Sequence, residues 1–201
     1  LAGVQARDSD AMGWMLTREA AKHIANAMTY DDIIRVADLK TRAARFARIG
    51  REMRVKDGNL LYLTEFFHPR AAEILGMFPA RLGARMEADP KWVARLTRWF
   101  DRGRRLRIDR LPAFVLLHIL GGLKSWRRRT LRHAQEQAHL ARWMEMALAQ
   151  AGRNYDLAVE LIRCRRLIKG YSDTHARGQS KFDRVTGASL RIAGRPDAAD
   201  W

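Results

Sequence analysis

Two Glu-x-x-His pairs, Glu65–His68 and Glu136–His139, are the residues whose type and spacing could bind a metal in this 201-residue chain. On a helix this spacing places a carboxylate and an imidazole on one face, and two such pairs with two further glutamates form the ligand set of a di-iron bundle. The second pair lies within a long predicted helix, whereas the first runs into Pro69, before which a helix is disfavoured. Such pairs also arise by chance in a helix-rich chain. We therefore predict no metal site and keep a helical di-metal carboxylate protein as an alternative.

Other patterns for catalysis or cofactor binding are missing from the sequence. Cys164 is the only cysteine, which excludes an intramolecular disulfide, and its place on the apolar side of a predicted helix indicates an inert thiol. No glycine-rich phosphate-binding loop and no Gly-x-Ser-x-Gly elbow occurs. We predict no catalytic and no cofactor-binding residue, so the chain by itself is not expected to be an enzyme.

The chain is strongly basic, with 38 Lys and Arg against 22 Asp and Glu and a formal net charge of +16. The excess is concentrated in residues 102–110, 124–132 and 163–169. Such clusters bind nucleic acid, an anionic membrane or an acidic protein, or they only face solvent. No zinc finger, helix-turn-helix or ribonucleoprotein motif accompanies them. An acidic partner protein is therefore preferred, and a basic helical nucleic-acid-binding module remains an alternative.

Apolar residues repeat with helical spacing along most of the chain, and they make up 47% of it, enough for a core. Asp89 with Pro90, and Asn154, are expected to start helices, and Thr29 is expected to cap another. The segment 113–120 is apolar on all sides and is predicted to be the central, buried helix. Residues 59–67 are the only stretch that could be extended. The sequence predicts an all-α fold, a single irregular bundle of six to eight helices with no substantial sheet.

The same patterns suggest an order of domains. Residues 1–9 are predicted to be the remnant of a linker, residues 10–185 the helical domain and residues 186–201 a flexible C-terminal tail. The longest apolar run, Leu111–Leu123, is shorter than the roughly 20 residues that a membrane-spanning helix needs. We expect a soluble, cytoplasmic protein that does not bind a membrane.

The stretch around Gly170 is the most distinctive part of the sequence. Gly170 is expected to end a helix, and polar or phenolic side chains follow it closely. We predict a docking loop that presents five residues to another domain: Lys169, Tyr171, Asp173, His175 and Arg177. The alternative is a capped turn that leads into a short terminal segment, with Asp173 as the cap.

This stretch resembles the C-terminal helical region of one of the two subunits of the indolepyruvate oxidoreductase family. The pattern Leu-Ile/Val-Lys-Gly-Tyr-Gly-Asp-Thr-His-x-Arg-Gly is typical there, and Ser172 stands where Gly is commoner. The similarity covers about residues 10–185. Further similar stretches follow in the expected order: Asn26–Ala37, Phe67-His68-Pro69, Leu111-Pro112-Ala113-Phe114 and Ala158-Val159-Glu160-Leu161.

The resemblance implies a non-catalytic helical accessory domain of a 2-oxoacid:acceptor oxidoreductase. The whole enzyme would decarboxylate arylpyruvates oxidatively to acyl-CoA with thiamine diphosphate, iron–sulfur clusters and CoA. None of these cofactors is expected in this region, and its single cysteine cannot supply the four thiolates of a cluster. The implied partners are the other domain and subunit of the same oxidoreductase, whose assembly this region would organise.

Overall fold

A computed structural model describes residues 1–56, 58–170 and 172–200 of the chain, and it is 69% helical. The described residues form eleven α-helices: α1 (Ala2–Gln5), α2 (Met15–Met28), α3 (Ile33–Thr41), α4 (Ala43–Glu52), α5 (Ala71–Leu75), α6 (Ala80–Glu87), α7 (Pro90–Phe100), α8 (Leu111–Gly122), α9 (Leu131–Ala151), α10 (Tyr155–Arg163) and α11 (Ser172–Arg191). Short 3-10 turns cover Asp10–Met12, Leu123–Ser125, Arg127–Arg129 and Cys164–Leu167. The all-α prediction is confirmed, and the helices outnumber the six to eight expected because several are only one or two turns long.

Three helix starts carry a side-chain cap, which satisfies one of the free N–H groups of the first turn. The caps are Asp32, Asp89 and Asn154, and each accepts a backbone N–H two or three residues on, at 2.7, 2.9 and 3.0 Å. The predicted starts at Asp89 and Asn154 are therefore confirmed. Thr29 caps no helix, because α3 begins only at Ile33 and Asp32 takes that role.

The chain divides into two compact units rather than the single domain predicted over residues 10–185. The terminal unit contains residues 1–30 and the chain from residue 135 onward, and the central unit contains residues 31–134. Val4 and Ala198 are both buried in the core of the terminal unit. The segments predicted as a linker remnant and a flexible tail thus contribute to that core, since each carries apolar residues that the core takes up.

The core of the terminal unit is built around Trp143 of α9. Its side chain is 1% exposed, and its indole N–H donates a hydrogen bond to the carbonyl of Leu161 at 2.9 Å. The fully buried Leu16 and Phe182 belong to the same cluster. Residues from both ends of the sequence therefore fold around one aromatic side chain.

In the central unit, α8 packs on α3 at a glycine. A Cβ atom on Gly121 would lie 2.8 Å from the Cα and backbone N of Asp38, so only glycine allows this close approach. Leu117 and Ala37 are buried at the same contact. The prediction that α8 is a buried central helix is nevertheless wrong: only Leu117 and Gly121 of its residues are buried. One packed face is enough to hold the helix, and periodicity could not reveal this because α8 is apolar on every side.

A two-stranded antiparallel sheet completes the central unit: β1 (Thr64–Phe67) and β2 (Arg104–Arg107). Strand β1 lies in the stretch that could be extended, whereas the sequence does not predict β2, because Arg104–Arg107 has the composition of a basic cluster. Leu63 and Leu106 pack inward on the central unit's core. Among the described residues, no helix has both the length and the apolar character that crossing a membrane requires.

Candidate functional site

The predicted docking loop after Gly170 is a helix. Gly170 makes the turn with a left-handed φ of +71°, and α11 begins at Ser172. His175, Gly178 and Phe182 are buried, and their spacing of three and four residues is that of one helix face. The prediction of a loop at these residues is therefore wrong, because the few apolar and small residues of the segment recur on a single side.

The structure separates the predicted docking residues into two kinds. Lys169, Asp173 and Arg177 are exposed, whereas His175 is buried. Tyr171 lies outside the described residues. Of the five, the three exposed charged residues are the ones that a partner can reach in this structure, and we call residues 169–178 the 169–178 segment.

His175 fastens α11 to α9. Its Nε2 atom lies 3.4 Å from a carboxylate oxygen of Glu136, and both side chains are about nine-tenths buried. Gly178 allows the same helix to approach the preceding turn, since a Cβ there would lie 2.7 Å from the carbonyl oxygen of Leu167. Arg165 is buried beside this turn and donates to the carbonyl of Ile168 at 3.0 Å. The 169–178 segment is therefore held firmly from its buried side.

His139 lies in the same part of the terminal unit. Its ring meets that of Phe182 edge-on with centroids 5.1 Å apart, and its buried Nε2 atom has no hydrogen-bond partner among the described residues. Burial lowers the pKa of His139, and the positive charges of Arg165 and Arg142 lower it further. The imidazole is therefore neutral at neutral pH.

The two Glu-x-x-His pairs serve other contacts. Glu65 forms ion pairs with Lys40 and Arg45, and His68 lies 2.6 Å from a carboxylate oxygen of Asp101. Burial opposes the ionised form of Glu65, but the hydrogen bond and charge of Lys40 and the charge of Arg45 outweigh it and lower its pKa. No three potential metal ligands come together within the described parts of the chain.

Cys164 begins the 3-10 turn that follows α10. Burial raises the pKa of its thiol, and the nearby charge of Glu160 raises it further. A protonated thiol is a weak nucleophile. The chemistry of Cys164 thus agrees with the inert thiol that the sequence predicts.

The lowered pKa of His139 predicts a loss of stability in mild acid. Unfolding exposes the ring, which then binds a proton near its ordinary pKa of 6.5, while the folded ring does so only at lower pH. This contribution is complete above the unfolded pKa and is lost as the pH falls below it. In urea titrations, the fall in unfolding free energy from about pH 7.5 to 5.5 should be smaller in His139→Gln than in the wild type. Identical pH dependence in the two proteins would contradict the assignment.

A second surface, which the sequence analysis does not predict, lies on α8. Leu111, Val115, Leu116 and Ile119, which we call the α8 face, are 74%, 41%, 51% and 61% exposed. Helix α8 has no charged residue from its first position to its last. A groove of about 370 Å³ adjoins its N-terminal end; its lining residues are Phe46, Ile108, Asp109, Arg110, Leu111 and Phe114. The absence of charge is visible in the sequence, but it fits a buried helix and a binding surface equally well.

The outer face of the hairpin alternates aromatic and cationic side chains. The guanidinium of Arg105 lies 5.5 Å from the ring centroid of Phe66, and that of Arg107 lies 4.8 Å from that of Tyr62. Both rings are largely exposed. Arg107 is also paired with Asp109 at 2.6 Å, which offsets part of the positive charge.

Comparison with known proteins places the chain beside a family whose function is not established. The model of that family of unknown function, DUF6537, matches residues 1–188. No curated protein and no solved structure matches the chain.

Proposed function

We propose that this chain, which belongs to the family of unknown function DUF6537, is a non-catalytic helical accessory domain of an indolepyruvate-type 2-oxoacid:acceptor oxidoreductase. The whole enzyme would convert arylpyruvates to acyl-CoA, and its thiamine diphosphate, iron–sulfur clusters and CoA would bind elsewhere. The role of the domain is to organise the assembly of the enzyme's other domain and subunit.

The observation that carries the proposal is the construction of the 169–178 segment, which bears the residues of the resemblance. Gly170 provides the left-handed turn, Gly178 the close approach to Leu167, and His175 the contact with Glu136. Positions that the family's pattern specifies therefore have a structural task in this chain. This supports the resemblance on physical grounds.

The same construction suits an interface. Lys169, Asp173 and Arg177 are exposed beside a helix whose other side is buried, so their backbone positions are held before a partner arrives. Binding through preorganised side chains loses less conformational entropy than binding through a mobile loop. We therefore assign Lys169, Asp173 and Arg177 to contacts with the other parts of the oxidoreductase.

Reconstitution tests this function. The chain should co-purify with the other domain and subunit of the oxidoreductase, and the charge reversals Lys169→Glu and Arg177→Glu should each weaken the complex. The expected loss is about tenfold in Kd, since an interfacial charge pair that becomes a repulsion costs about 1.4 kcal/mol or more. Arg153→Glu is the matched control, because it reverses an exposed charge of the same unit outside the segment.

Two results of this experiment would count against the proposal. A wild-type chain that fails to co-purify with the other parts would refute the accessory role. Variants that bind as tightly as Arg153→Glu would remove the 169–178 segment from the interface. Unchanged melting temperatures in all variants would show that the changes act on assembly and not on folding.

A nucleic-acid-binding module is the second candidate, and the hairpin's outer face is the observation that favours it. Exposed rings of Tyr62 and Phe66 beside Arg105 resemble the stacking and phosphate contacts of single-strand binders. Binding of a single-stranded oligonucleotide that falls steeply with salt and is lost in Phe66→Ala would support this candidate. Elemental analysis of the purified chain tests the remaining di-metal alternative.

A further inference from the structure

The α8 face leaves an aliphatic surface in contact with water. Four large side chains of one helix are exposed together, without a charged residue among them. Single exposed apolar residues are ordinary, but a contiguous patch with a polar rim is typical of a binding surface. This surface belongs to the central unit, and the 169–178 segment belongs to the terminal unit.

Cationic residues bound the α8 face at both ends. Arg110 stands directly before α8, Lys124 follows soon after it, and Arg128 lies in the next turn; all three are exposed. Lys124 pairs with Asp38 at 2.8 Å, but 64% of its side chain remains exposed. At about 1.5 Å per residue, Arg110 and Lys124 lie roughly 20 Å apart along the helix direction. A partner that covers the aliphatic stripe must therefore meet cationic side chains at either end.

We propose that the α8 face and its adjoining groove bind an amphipathic helix of a protein partner whose apolar stripe is flanked by carboxylates. A helix with leucine-type side chains at every third and fourth position covers an aliphatic stripe of this length in about three to four turns. One of its apolar side chains enters the groove between Phe46 and Phe114. Its carboxylates pair with Arg110, Lys124 and Arg128.

Three other occupants fit the surface less well. A second copy of this chain would set Arg110 and Lys124 against the same cations across a two-fold axis. An anionic lipid surface would meet the convex helix but could not fill the concave groove, which also contains the carboxylate of Asp109. Nucleic acid finds no hydrogen-bond donors and no aromatic rings among the four aliphatic side chains of the face.

The inference does not depend on which enzyme contains the chain, and a synthetic probe tests it. The probe is a labelled helical peptide of about 18 residues with leucines along one stripe and glutamates on both flanks. Fluorescence anisotropy should show binding to the full chain, weakened by salt. The same peptide with lysines in place of the glutamates should not bind. Ile119→Asp and, as a second variant, Leu116→Asp should weaken binding about tenfold or more, because each places a charge in the apolar contact.

Leu82→Asp is the matched control, because Leu82 is a large exposed apolar residue on another helix of the same unit. It should leave peptide binding unchanged, and the melting temperature of every variant should stay near that of the wild type. Equal binding of the glutamate and lysine peptides would overturn the proposal. So would an Ile119→Asp variant that binds like Leu82→Asp, or an α8 face that the chain uses to dimerise or to bind phosphatidylglycerol vesicles without competition from the peptide. Since the 169–178 segment is unaltered in these variants, failure here leaves the co-purification test untouched.

Discussion

Replacing Trp143 by alanine should lower the free energy of unfolding by about 3–5 kcal/mol, the largest effect we expect from a single change. The indole is 1% exposed at the centre of the terminal unit's core, and its removal leaves a cavity among Leu16, Leu161 and Phe182. The carbonyl of Leu161 also loses its hydrogen bond from the indole N–H. Urea denaturation followed by circular dichroism measures the change.

Two further variants separate the causes of this loss. Trp143→Phe keeps most of the apolar volume but removes the donor to Leu161, and it should cost about 1–3 kcal/mol. Trp99→Ala removes an indole that is 65% exposed and should change the stability by less than about 0.5 kcal/mol. If Trp143→Ala were as mild as Trp99→Ala, the placement of Trp143 in the core would be wrong.

Two alanine substitutions in α11 should have opposite effects. In Gly178→Ala, the new Cβ would lie 2.7 Å from the carbonyl oxygen of Leu167 and 3.1 Å from the Cα of Ile168. Both neighbours are backbone atoms that cannot rotate away, so we expect a loss of about 1–3 kcal/mol. In Gly187→Ala, the Cβ meets nothing within 4 Å, and the higher helix propensity of alanine should add up to about 1 kcal/mol.

Thermal melting of the two variants against the wild type measures this contrast. The comparison is internal to one helix, so a general effect of alanine on α11 would shift both melting temperatures in the same direction. A stabilised Gly178→Ala variant would show that α11 does not approach Leu167 so closely. The proposed docking role of the 169–178 segment would then lose its structural basis, because the exposed charges would no longer be held in place.

Several features of the fold could be predicted from short stretches of sequence. Asp89 and Asn154 start helices as expected, because a cap needs only its own side chain and an N–H two or three residues on. The turn at Gly170 is of the same local kind, since it depends on one residue's freedom to take a positive φ. The all-α class follows from many such signals together with helical periodicity.

The errors share a different origin. The sequence predicts a buried α8, but an all-apolar helix gives no information about how many of its faces find a neighbour. Strand β2 escapes prediction because its four residues, three of them arginine, become a strand only by pairing with β1. The polar composition of the 169–178 segment favours a loop, although its buried residues recur with helical spacing.

By itself, the sequence determined the helical class, two of the capped helix starts, the turn at Gly170 and the charge of the surface. All of these depend on interactions over a few residues or on composition alone. Only the tertiary structure decided that His175 meets Glu136, that Gly178 lies against Leu167 and that the α8 face stays in water. The first of these joins residues 39 positions apart, and the last depends on which elements reach α8 at all. Burial is a property of the packed chain, so no local pattern specifies it.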